Sequence, residues 1–127
     1  MGRPAKENWC KSDKAGCDPT DHEGFPLIQQ GDVRNAVGYA QCILNRMLLE
    51  MRLCQIVPSC LSGYSTRAVN SIRTHLSLIS KLFIDVDCNF GPDTDHATRA
   101  LQAYWFKDPN WWDGQIGKET WAGLKQK

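Results

Sequence analysis

An all-α fold is predicted, on three observations. Apolar residues recur every three or four positions over long stretches, strand signals are weak throughout, and one short loop-to-helix phrase occurs twice in the last third of the chain. The expected architecture is three main helices and a short fourth behind an irregular N-terminal arm. At 127 residues the chain is the size of one domain.

Residues 1–25 carry Gly, Pro, Asp, Lys and two cysteines with little apolar content, and are expected to be ordered only if Trp9 or the cysteines tie them down. After Gly31, the residues Val33, Val37, Ala40, Leu44, Met47 and Met51 alternate steps of four and three, which is one face of a helix. Leu48 widens that stripe and Asp32 stands near its start; the helix is expected to run to about residue 52. A loop follows from Cys54 to Gly63, marked by Pro58 and Ser62-Gly63. Ser65 is a good N-cap for a second helix, whose apolar face is Val69, Ile72, Leu76, Ile79 and Phe83. Leu82 to Val86 carries a weak strand signal. A third helix is expected from Pro92 to about Phe106, facing inward with Thr94, Ala97, Leu101 and Tyr104 or Trp105. Lys107 to Asn110, with Pro109, breaks it, and a last helix spans Lys118 to about Leu124.

The repeated phrase is D-x-x-[FI]-G-x-x-T: Asp87-Cys88-Asn89-Phe90-Gly91-Pro92-Asp93-Thr94, then Asp113-Gly114-Gln115-Ile116-Gly117-Lys118-Glu119-Thr120. Asp hydrogen-bonds its own backbone in a turn, and the large apolar residue anchors the turn in the core. Glycine is placed where the chain changes direction. Pro92 suits the first helical position, and an acid in the first turn meets the positive end of the helix dipole. Two such units predict a domain with a duplicated element.

Six cysteines, Cys10, Cys17, Cys42, Cys54, Cys60 and Cys88, are many for this length. No C-x-x-C pair occurs, and a zinc site of Cys10, Cys17 and His22 lacks the usual ligand spacing. Disulfides in an oxidising compartment are the expectation, against free buried thiols. Of the fifteen pairings open to six cysteines, Cys54 with Cys60 is the most plausible local closure. The opening Met-Gly-Arg-Pro-Ala-Lys-Glu lacks an apolar stretch and does not read as a signal peptide. Lys6 also spoils an N-myristoylation match.

Net charge is +1, with Lys and Arg spread along the chain, so no nucleic-acid partner is expected. No apolar run approaches the ~20 residues that cross a bilayer, and no membrane partner is expected. Catalysis, metal and cofactor are not expected either. The histidines are His22, His75 and His96; Asp95-His96 are neighbours that do not face each other on a helix. His75 falls on the flank of the second helix, and no catalytic or phosphate-binding motif is present.

The two phrases, together with Ala100-Leu101-Gln102 and Thr120-Trp121, resemble the peptidoglycan-binding domain family of the PGBD-1 type, a compact three-helix module. That family reads D-G-x-F-G-x-x-T, then D-G-x-V-G-x-x-T-W. The opening is similar too, with Pro26-Leu27 and Gly31-Asp32 before Val37, Ala40-Gln41 and Leu44-Asn45. The resemblance covers about residues 26–50 and 83–124 of a domain spanning 26–127. Three departures stand out: Cys88 takes the place of the glycine in the first Asp-Gly turn, about residues 52–82 form an insertion with an extra helix, and cysteines are abundant.

The resemblance implies a non-catalytic device that attaches to bacterial cell-wall peptidoglycan. A glycan-peptide polymer needs a shallow groove with amides and carboxylates, and aromatic faces for sugar rings. Candidate ligand-binding residues are Asp87, Asn89 and Phe90 in the first loop, and Trp111, Trp112, Asp113 and Gln115 in the second. An aspartate in such a turn more often closes the turn itself, and Trp105 and Trp121 are expected to fill the core. A second expectation is a structural virion protein of a phage capsid or tail, using the fold for assembly or host-wall contact. A secreted inhibitor or effector held by disulfides is a third. The expected place is extracellular, on the cell wall or in a virion.

Overall fold

The computed structural model describes residues 10–57 and 59–127, so Trp9 and Pro58 lie outside the described residues. Among the described residues four α-helices follow one another: α1 Asn35–Ile56, α2 Thr66–Ser77, α3 Pro92–Trp105 and α4 Lys118–Leu124, with a 3-10 turn at Pro109–Trp111 between the last two. The fold is all-α. No strand forms among the described residues; only two isolated antiparallel bridges occur, Ile28 with Ile116 and Val33 with Asn89.

α1 buries Val37, Ala40, Leu44, Met47, Leu48 and Met51, the stripe read from the periodicity, while Val33 lies outside the helix and is exposed. The N-terminus of α1 is closed from a distance. Its N-cap Arg34 makes no side-chain cap bond; instead Glu23 Oε1 accepts the Ala36 N–H at 2.7 Å and pairs with Arg34 Nε at 3.1 Å. These bonds, the Ala36 one first, hold the Glu23 carboxyl below its ordinary pKa. Asp32, expected near the helix start, accepts from Gln29 N instead. α1 runs one turn past residue 52, ending on Leu53 and Ile56, which are 55% and 74% exposed.

Ser65 caps α2, its Oγ accepting from Ala68 N at 3.1 Å. α2 buries Ala68, Ile72 and Leu76 and packs chiefly on α3. Burial of each large aliphatic contributes about 1.5–3 kcal/mol. The helix stops at Ser77, earlier than the periodicity to Phe83 suggests; Ile79 is buried from a turn, and Phe83 is exposed. No strand occupies 82–86. Its partner is a side chain: Asn45 accepts from Ile84 N at 2.8 Å and donates to Ile84 O at 3.0 Å.

The arm is bound to the domain through its cysteines. Cys10 pairs with Cys42, Cys17 with Cys88 and Cys54 with Cys60, leaving no free cysteine among the described residues. This removes the zinc alternative and fits an oxidising environment. The arm also ends in an aromatic cluster. Phe25 stacks on His22 at 4.0 Å and meets Trp121 edge-on at 5.3 Å, and Trp121 Nε1 donates to Pro26 O at 2.6 Å. No helix among the described residues is long and apolar enough to cross a membrane.

Candidate functional site: two grooves on glutamine-centred loops

Each copy of the repeated phrase is built around one buried glutamine from a helix earlier in the chain. Gln41 of α1 and Gln102 of α3 are each 1% exposed. Gln41 Nε2 donates to Asp87 Oδ1, Asn89 O and Thr94 Oγ1, all at 3.0 Å, and its Oε1 accepts from Asp87 N and Cys88 N. Gln102 Nε2 donates to Asp113 Oδ1 (3.3 Å), Gln115 O (2.8 Å) and Thr120 Oγ1 (3.3 Å), and its Oε1 accepts from Gly114 N at 2.9 Å. The same four places in the phrase are thus satisfied by the same amide in both copies. A side-chain amide suits the task because it donates and accepts at once.

Within each loop the aspartate closes its own turn. Asp87 Oδ1 accepts from Asn89 N and Asp113 Oδ1 from Gln115 N, both at 3.0 Å. The second carboxylate oxygen of each has no hydrogen-bond partner among the described residues. The apolar places, Phe90 and Ile116, are 1% and 0% exposed. They hang the loops on the core while residues 28–33 bridge them: Ile28 and Ile116 exchange backbone bonds, and Phe90 N donates to Asp32 O.

The glycines work differently from the expectation. Gly91 and Gly117 cap α3 and α4 with φ of −95° and −105°, a conformation open to any residue. The left-handed position comes three residues earlier, at Cys88 (φ 62°) and Gly114 (φ 79°). A cysteine in that region bears strain of about 1–2 kcal/mol, and it is held there by the bond to Cys17. The surroundings differ to match. Gly38, three residues before Gln41, leaves room for the Cys17–Cys88 sulfurs, whereas Arg99, three before Gln102, pairs with Asp95 over Gly114. Cys88 therefore shares the left-handed backbone of Gly114, with a covalent tie to the arm where the second unit has an ion pair.

A groove opens beside each unit. The first, about 370 Å3, is lined by Asp85, Asp87, Asn89, Asp93 and Thr94 over Gln41. The second, also about 370 Å3, is lined by Phe106, Asn110, Trp111, Asp113, Gln115 and Glu119 over Gln102 and Thr120. No residue between 52 and 82 lines either groove.

Of the candidate ligand-binding residues, Asp87, Asn89, Trp111, Asp113 and Gln115 line these grooves. Two do not. Phe90 is buried, because the apolar place of the phrase is a core anchor. Trp112 is half-buried and lines neither groove: its Nε1 donates to Phe106 O at 2.8 Å and Arg67 stands over its ring at 6.0 Å. Trp111, its neighbour, is 47% exposed. Trp121 fills the core as expected, and Trp105 lies half-buried against Gly123. Phe106, Asn110 and Glu119 join the second groove without having been singled out in the sequence. Gln41 and Gln102 carried one usable signal, a long polar amide on the inward face of a helix. Compared with known proteins, the chain matches no family model, and neither a curated protein nor a solved structure shows significant similarity to it.

Proposed function

We propose that the chain is a non-catalytic module that binds bacterial cell-wall peptidoglycan through the groove of its second repeat unit. The observation that carries this reading is the pairing of an exposed indole, Trp111, with the exposed Asp113, Gln115, Asn110 and Glu119 in one shallow groove. An aromatic face covers the apolar face of a sugar ring, and amides and carboxylates bond hydroxyl and acetamido groups. The resemblance of Asp113-Gly114, Gly117 and Thr120-Trp121 to the peptidoglycan-binding family supports the same choice of ligand. Gln102 fixes the loop in advance, which lowers the ordering entropy that binding must overcome. Sedimentation with purified sacculi tests it: the protein is expected in the pellet, and less of it when Trp111 and Gln115 are replaced by Ala. Protein wholly in the supernatant refutes it.

A structural subunit of a virus particle is a second reading, favoured by one observation. Leu49, Leu53 and Ile56 are at least half exposed along one face of α1, and Val57 and Leu82 are exposed as well. Apolar residues left in water on one helix face suit burial against another subunit. Light scattering that shows self-association supports this reading, and a strict monomer at high concentration opposes it.

A further inference from the structure

The inserted segment contributes no lining residue to the second groove and adds a further cavity beside it. This cavity, about 450 Å3, lies between the start of α2 and the end of α3. Tyr64 and Ala68 form the side contributed by the insertion; Ala103, Trp105, Phe106 and Lys107 form the other. Its volume falls within the range of about 300–1,000 Å3 common for small-ligand pockets. Phe106 lines both this cavity and the second groove, so the two are neighbours across one half-buried ring.

The chemistry of the two spaces differs. The second groove carries two carboxylates and two exposed amides around Trp111. The cavity is walled mainly by aromatic rings and alanine methyls, with Ser65 at its edge, and Lys107, which is exposed, is its one charged lining residue. Burial, with the Glu50 carboxylate acting in the same direction, raises the pKa of Tyr64 and of Tyr104. The walls are also fixed in advance. Tyr64 Oη donates to Tyr104 O at 2.7 Å, their rings lie stacked at 5.8 Å, and the Cys54–Cys60 bond closes the loop leading in.

We infer that this cavity is a second subsite, which takes a short peptide with small apolar side chains and a free carboxylate while the adjoining groove takes the sugar. The methyl groups of such a peptide match the apolar walls, and its carboxylate meets Lys107. An uncharged glycan offers Lys107 no counter-charge, so the carboxylate sets the preference. This assignment rests on the proposed binding of a glycan-peptide polymer, and it gives the insertion a role: it turns a glycan groove into a site for glycan and peptide together.

The test is calorimetric titration of the intact, disulfide-bonded protein with two soluble probes. One is a disaccharide–tetrapeptide muropeptide; the other is a peptide-free tetramer of β-1,4-linked N-acetylglucosamine. Two variants perturb the cavity alone. Lys107→Glu reverses the charge at an exposed position, and Gly63→Phe places a ring at the rim, where an added Cβ meets no atom within 4 Å. Wild type is expected to bind the muropeptide more tightly than the tetramer. Each variant is expected to weaken the muropeptide about tenfold, the scale of one charged contact, and to leave the tetramer unchanged. Muropeptide affinity untouched in both variants overturns the subsite and leaves the glycan groove standing. Equal losses on both probes overturn the division of labour. Wild type that binds neither probe overturns the subsite together with the peptidoglycan reading.

Discussion

Replacing Gln102 by Met is the sharpest perturbation of the second loop. Methionine keeps the length and apolar body of the side chain, so little cavity is created. The change deletes four hydrogen bonds at once, to Asp113 Oδ1, Gln115 O, Thr120 Oγ1 and Gly114 N. Asp113 retains its bond from Gln115 N, and the Thr120 hydroxyl can turn to another acceptor. The Gly114 N–H and the Gln115 C=O are left without partners, and a buried orphan costs about 1–3 kcal/mol. The expected loss is therefore about 2–4 kcal/mol, with the recovered apolar burial of the thioether offsetting the upper end. With a urea slope of about 1–3 kcal/mol per M, the midpoint followed by tryptophan fluorescence falls by roughly 1–2 M. Binding to sacculi should fall as well, even where the variant is fully folded, because Asp113 and Gln115 lose the amide that sets their loop. A loss under about 0.5 kcal/mol, the usual range of a surface change, would refute the claim that this amide organises the loop.

Further outcomes follow from the same geometry. His75 Nδ1 lies 3.0 Å from His96 Nδ1 across the α2–α3 contact. Burial, then His96 and Arg99, lower the His75 pKa against an opposing pull from Asp95. The proton thus prefers the unfolded chain, so stability is complete above the unfolded value of about 6.5 and is lost as pH falls below it; melts between pH 5 and 7.5 should show this slope, and His75→Gln should flatten it. For the cysteines, removing Cys17–Cys88, with a separation of 71 residues, should cost about 4 kcal/mol, and removing Cys54–Cys60, with a separation of 6, about 2. With Cys17 already replaced by Ala, Cys88→Gly should be about 1 kcal/mol more stable than Cys88→Ala, because φ there is 62°. Trp111→Ala should leave stability within about 0.5 kcal/mol, whereas Trp121→Ala, at a residue 2% exposed, should cost about 3–5 kcal/mol.

The helices were legible wherever local chemistry decides them. Ser65 caps α2, Pro92 opens α3, and Lys118–Leu124 forms α4 as the sequence predicts. Boundaries set by tertiary contacts were not. α1 overruns to Ile56, and α2 ends at Ser77 although Ile79 continues its apolar spacing from a turn. The Cys54–Cys60 pair is a local closure and was readable; the other two join the arm to α1 and to the first loop, and sequence spacing carries no signal for that. At the site, the repeated phrase located both loops but not the direction of their side chains. Phe90 follows the same rule as Ile116 and turns inward, and of two adjacent tryptophans only Trp111 lines a groove. Gln41 and Gln102 lay outside the phrase, far along the chain in the case of Gln41, so their bonds to the two loops emerge only from the fold.

The most direct test of the central claim is co-sedimentation of the disulfide-intact protein with purified sacculi, wild type beside a Trp111→Ala, Gln115→Ala double variant. Both side chains are exposed, so the variant should melt as wild type does. Wild type in the pellet and the double variant largely in the supernatant is the predicted result. A wild-type protein that stays in solution, or a double variant that pellets equally, contradicts binding through the second groove.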